Sequence, residues 1–84
     1  MKIAIVDDEQ DELDCMSRRI GNHLSYLGYP ENVIHCFHSA EEFFSAWSPG
    51  GYDLILLDIY MDGMPGIEAA RLIRQPHRDC RLVL

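Results

Sequence analysis

The sequence predicts an α/β fold, a doubly wound parallel sheet built in the order β-α-β-α-β-α-β. Three observations predict it. Four short apolar runs recur along 84 residues. Segments with helical spacing separate them. The runs are continuously apolar rather than alternating, as in strands buried on both faces by crossover helices.

The first run, Ile3-Ala4-Ile5-Val6, is β-branched and ends at Asp7. From Leu13 the period changes: Leu13, Met16, Ile20, Leu24 and Leu27 share one helical face. Gly28 is its stop signal, with Pro30 beyond. Val33-Ile34-His35-Cys36-Phe37 forms the second strand. Ser39 and Glu42 have the spacing of a capping box, opening a helix that carries Phe43, Phe44 and Trp47 into the core. Pro49-Gly50-Gly51 ends it. Leu54-Ile55-Leu56-Leu57 is the most apolar run, a central strand ending at Asp58. A loop with Gly63, Pro65 and Gly66 follows. The third helix turns Ile67, Ala70 and Ile73 inward and Glu68, Arg71 and Arg74 outward, until Gln75-Pro76 breaks it. Residues 80–84 form the fourth strand.

Composition bounds the function. Seven Lys and Arg against fourteen Asp and Glu give a net charge of −7. Residues 1–14 hold six acids against one base, −5 of that total. Such a chain repels phosphate backbones, which excludes direct nucleic-acid binding by this segment. No stretch reaches the ~20 apolar residues that span a bilayer, and the acidic turn after Val6 is unlike a signal peptide. Cys15, Cys36 and Cys80 are odd in number and widely spaced, which reads as reduced, mostly buried cytosolic thiols. A chain this short buries only about 60–65% of its unfolded surface, so its core is marginal.

In open parallel sheets, sites lie beyond the carboxyl ends of strands, where the strand order reverses. Two strands here end in carboxylates, the first in Asp7-Asp8 and the third in Asp58. Right-handed crossovers can bring these strands side by side, so three carboxylates would share one cleft. Like charges so close need a cation, and Mg²⁺ suits one or two carboxylates, waters and a phosphate oxygen. The loop Asp7-Asp8-Glu9-Gln10 has no glycine, which removes nucleotide- and flavin-binding readings. A phosphate can approach only with a metal, or by attaching to a carboxylate.

These residues also carry plainer readings. Asp7, Asp8 and Asp58 can be solvated acids at strand ends, with Asp8 or Asp11 capping the first helix. His35-Cys36-Phe37-His38 lacks a second ligand pair at zinc spacing and reads as a strand end. Asp58-x-Tyr60-x-Asp62-Gly63 departs from a calcium loop at its third and twelfth positions, the latter being Ala69. Ser39 is a helix cap rather than a phosphate contact.

Three segments together resemble the receiver domains of two-component response regulators, over the whole chain. Ile3-Ala4-Ile5-Val6-Asp7-Asp8-Glu9 is similar to the family's first strand and acidic pair. Asp53-Leu54-Ile55-Leu56-Leu57-Asp58 is similar to its third strand and terminal phosphoacceptor, and Met61, Met64, Gly66, Ile67 and Glu68 match the loop and helix that follow. The pattern Asp58-Ile59-x-Met61-x-Gly63-Met64-x-Gly66-Ile67-Glu68 further resembles receivers joined to LytTR-type DNA-binding domains. Asp62 stands where the family commonly has proline.

The resemblance implies a flavodoxin-like sheet of order 2-1-3-4, a sensor histidine kinase as partner and a cytoplasmic, non-enzymatic signalling role with transcription as output. Asp58 would accept the phosphoryl group. Asp7, Asp8, Asp58 and the backbone carbonyl of Tyr60 would hold Mg²⁺. The family also uses a Ser or Thr hydroxyl just beyond the fourth strand and a Lys ending a fifth. This sequence has no Thr, and its only Lys is Lys2, roughly 16 Å from the acids along the strand. Residues 1–84 are thus expected to be the N-terminal part of one receiver domain, lacking the last helices and fifth strand. Leu82, Val83 and Leu84 would then form an open edge inviting self-association. Two other function classes follow from these features: a phosphorylation-independent interaction module, and a Mg²⁺-dependent phosphatase, whose general acid is replaced by Tyr60.

Overall fold

The computed structural model describes residues 1–29, 31–59, 61, 63–75 and 80–84. Seven elements follow in order: β1 (Lys2–Val6), α1 (Gln10–Tyr26), β2 (Val33–Phe37), α2 (Ala40–Ala46), β3 (Leu54–Leu57), α3 (Gly66–Arg74) and β4 (Arg81–Val83). The four strands are parallel, in the order β2-β1-β3-β4. Among the described residues, no helix is long and apolar enough to cross a membrane.

Alternation on the strands makes two cores. Ile3 and Ile5 of β1 pack with Leu13 of α1 on one face, joined by half-buried Met16, Ile20, Leu24, Leu54 and Leu56. Ala4 and Val6 face the other way, into a larger core with Phe37, Phe43, Tyr52, Ile55, Leu57 and Ile73. That second face carries both α2 and α3. Phe43 is fully buried at its centre, edge-on to Phe37 at 5.4 Å between ring centroids. Phe44 and Trp47 pack against it from half-buried positions.

Local signals terminate the helices as the residues dictate. Gly28 takes φ +92°, and the amides of Gly28 and Tyr29 donate to the carbonyls of Ser25 and Leu24, a Schellman closure. Ser39 Oγ accepts from the Glu42 amide at 3.0 Å. The return bond of this capping box lands one residue earlier, where Glu42 Oε2 accepts from the His38 amide.

Several inward assignments shift. The helical stripe of α3 is Gly66, Ala69, Ala70 and Ile73, leaving Ile67 63% exposed. Arg74 is half-buried and its guanidinium donates to the Cys80 carbonyl. Leu27 lies past the end of α1 and is exposed. Glu9, not Asp8 or Asp11, is the N-cap of α1. The fourth strand is Arg81–Val83, with Leu84 outside it. Of the three free thiols only Cys80 is buried; Cys15 and Cys36 are half-buried. Pro30 and Pro76 lie outside the described residues.

Replacing Phe43 by Ala should cost about 3–5 kcal/mol by urea denaturation, against less than about 0.5 kcal/mol for Tyr26→Ala on the exposed side of α1. Tyr26 is 88% exposed. Equal losses for the two variants would refute this assignment of the core.

Candidate functional site

The β1–β3 register creates the site. Val6 pairs with Leu57, so the next residue on each strand is an aspartate. The ladder runs one step further: the Asp58 amide donates to the Val6 carbonyl at 3.0 Å, and the Asp7 amide to the Phe37 carbonyl at 3.0 Å. Both carboxylates therefore leave from backbone that is still tied to the sheet. β1 lies between β2 and β3, so this is where the chain reverses its winding.

Asp7, Asp8 and Asp58 converge here, each offering a carboxylate oxygen within 4.8 Å of the others. Asp7 and Asp58 are half-buried and Asp8 is exposed. Asp7 Oδ1 also accepts from the Glu9 amide at 3.0 Å, which turns the chain from β1 into α1. Burial pushes the Asp7 carboxyl above its ordinary pKa, and the facing charges of Asp58, Asp8 and Glu12 push the same way. The Glu9 amide opposes them. Among the described residues this is the one group of three or more His, Cys, Asp or Glu side chains that could hold a metal. Oxygen-only donors crowded against like charge fit a hard cation such as Mg²⁺.

The sequence pattern missed two contributors. Glu12, in the first turn of α1, lines the acidic cleft with Asp7, Asp8, Glu9 and Asp58. The available signal is its place in the acid-rich run of residues 7–14. Gly66 seats the start of α3 directly on Asp58: a Cβ there would sit 2.1 Å from the Asp58 carbonyl oxygen. The Gly66 amide also donates to the Ile59 carbonyl at 3.2 Å. Tyr60, the expected carbonyl ligand, and Asp62 lie outside the described residues.

The other candidates stand apart. His35 and Cys36 point to opposite faces; His35 Nδ1 meets the Tyr52 hydroxyl at 2.7 Å, and Cys36 packs on the α1 side. Lys2 opens β1 at the far end of the sheet, its ammonium over the Tyr52 ring. Ser39 caps α2.

Known proteins resemble this chain in sequence and fold. The family model of the response regulator receiver domain matches residues 3–84. The chain is 32% identical to the uncharacterized transcriptional regulatory protein YkoG of Bacillus subtilis (strain 168), over 98% of this chain and 33% of that protein. It is 34% identical to the cyclic di-GMP phosphodiesterase response regulator RpfG of Xanthomonas campestris pv. campestris (strain 8004), over 100% and 21%. The chain thus spans a third or less of these curated relatives. The crystal structure of response regulator protein TrrA from Thermotoga maritima in complex with Mg²⁺-BeF superposes with a TM-score of 0.78 at 31% identity, covering 99% of this chain and 66% of that one. TrrA in complex with histidine kinase ThkA gives 0.70 at 31% identity, covering 96% and 64%. With the family's model matched from Ile3 to Leu84 on a sheet of order 2-1-3-4, the chain belongs to the receiver domains of response regulators.

Proposed function

We propose that Asp58 is the phosphoacceptor of a response regulator, receiving a phosphoryl group from a sensor histidine kinase with Mg²⁺. The observation that carries this reading is the convergence of Asp7, Asp8 and Asp58 at the carboxyl ends of two adjacent strands. Asp7, Asp8, Asp58 and the Tyr60 carbonyl would hold the metal. When bound, Mg²⁺ would neutralise these carboxylates and the charge developing on the phosphoryl oxygens.

The chain's own part is nucleophilic and positional. An Asp58 carboxylate oxygen attacks the phosphorus of a phosphohistidine. The P–N bond breaks and its electron pair stays on the imidazole, which takes a proton from solvent. The product is an aspartyl acyl phosphate. The bond from the Asp58 amide to Val6 holds the nucleophile's backbone in place.

The kinase partner is supported by TrrA's complex with ThkA, and Mg²⁺ by TrrA's complex with Mg²⁺-BeF. Residues 1–84 act as the first part of one receiver domain, cytoplasmic and not itself an enzyme. Transcriptional control is the output suggested by YkoG's name, while RpfG is named a cyclic di-GMP phosphodiesterase response regulator. We also propose self-association at β4, the edge strand of the described sheet, where Val83 and Leu84 are each 51% exposed.

Incubation with Mg²⁺ and a small phosphodonor should add the mass of one phosphoryl group, and Asp58→Asn should abolish the gain. A folded, Mg²⁺-binding sample that gains no mass would favour the interaction module. Turnover of a phosphomonoester would favour the phosphatase.

Metal binding should carry a pH signature. Asp7 holds its proton more tightly in the fold than in the unfolded chain. Its protonation therefore favours the metal-free fold, and that contribution is lost as pH rises through the raised titration. Mg²⁺ works in the opposite sense because it needs ionised carboxylates. Scanning calorimetry should show a Mg²⁺-induced rise in Tm at about pH 7.5 that falls away toward about pH 4. An increment independent of pH would count against the carboxylate site.

Self-association should appear in light scattering as a mass that grows with concentration and falls in Val83→Lys, which charges the edge. A monodisperse monomer at high concentration would refute it.

A further inference from the structure

Two adjacent glutamates in the first turn of α2 each bond outside the helix, Glu41 to Met64 and Glu42 to His38. Glu41 Oε1 accepts from the Met64 amide at 3.1 Å, 23 residues away, in the loop between β3 and α3. The neighbouring Gly63 makes this approach possible. It takes φ +81°, and a Cβ there would lie 2.9 Å from Glu41 Oε1. A side chain at 63 would thus be strained in its backbone and would push the carboxylate away.

Glu42 works in the other direction. Its Oε2 accepts from the His38 amide at 3.2 Å and lies 3.5 Å from His38 Nδ1. The far nitrogen of the same ring, Nε2, meets Gln10 Oε1. Gln10 in turn donates to Asp14 Oδ1 at 2.9 Å. Gln10 is the first residue of α1, two after Asp8. The start of α2 therefore touches both sides of the cluster: Gln10, two residues after Asp8, through His38 just before the cap, and Met64, six residues after Asp58, through Glu41.

We propose that this turn is a two-armed brace, with Glu41, Glu42 and His38 as positioning residues for the Asp7, Asp8 and Asp58 cluster. None of the three belongs to that carboxylate cluster. They would act by holding the loops so that the repelling carboxylates stay converged before a cation arrives. Groups behind first ligands set metal affinity in this way. The proposal rests on the Mg²⁺-binding reading above.

The test separates bonding from charge. Glu41→Ala and Glu41→Gln remove the same negative charge, but only glutamine keeps an oxygen for the Met64 amide. Calorimetric titration with Mg²⁺ should show Glu41→Ala weakened roughly tenfold or more, as outer partners of metal ligands commonly are, and Glu41→Gln within about twofold of the parent chain. Amide exchange at Met64, followed by NMR, should quicken in Glu41→Ala and stay slow in Glu41→Gln. Equal loss of affinity in both variants would reduce Glu41 to a long-range charge and overturn the proposal. His38→Ala should weaken Mg²⁺ while leaving Met64 protected; loss of that protection would mean α2 shifts as a whole and would overturn the two-armed assignment. Circular dichroism would establish that each variant is folded. If the parent chain fails to bind Mg²⁺, the metal reading fails, and Met64 exchange still decides whether Glu41 holds the loop.

Discussion

The parallel pairing of β1 with β3 is the constraint on which the rest depends. It fixes Val6 opposite Leu57 and so sends Asp7 and Asp58 off the sheet side by side. A shift of one residue would turn every inward side chain of β3 to the other face and separate the two carboxylates. The register is held at both ends. At the start of β3, Asp53 Oδ2 accepts from the Lys2 amide at 2.7 Å, and the Asp53 amide donates to the Lys2 carbonyl at 2.7 Å. At the other end the Asp58 amide reaches Val6. The hydrophobic core thus contributes to the site's geometry: Ile55 and Leu57 are buried among α2 and α3 in the register that converges the acids.

Convergence of like charge is unfavourable, and the fold tolerates it by leaving the cluster at the rim. Asp8 is exposed, and Asp7 is relieved in part by the Glu9 amide. Burial pushes the Asp7 carboxyl up, and the facing charges of Asp58, Asp8 and Glu12 add to that push. Were a cation to bind here, part of the ordering of its carboxylates would already have been met by folding.

Much of this was legible in the residues. The apolar runs located all four strands, because continuous burial leaves a continuous signature. The acids at two strand ends located the cleft, since the switch-point rule turns topology into position. What could not be read were features depending on tertiary approach. The stripe of α3 runs through Gly66 and Ala69, small residues with little hydropathy, so the more apolar Ile67 looks inward although it is exposed. Leu27 fits the period of α1 but is its C-cap, one residue past the last helical turn and just before the bend at Gly28. The reach of Glu41 to Met64 spans 23 residues and leaves no trace in local pattern.

The seat of α3 on Asp58 has a mechanical meaning. The Gly66 backbone lies against the Asp58 carbonyl with no side chain between them. A contact between two main chains has no rotamers and no flexible stem. Displacement of the Asp58 peptide therefore finds no soft joint in which to dissipate before it reaches the helix. At this point β3 and α3 meet as a single lever, with glycine as the unpadded fulcrum.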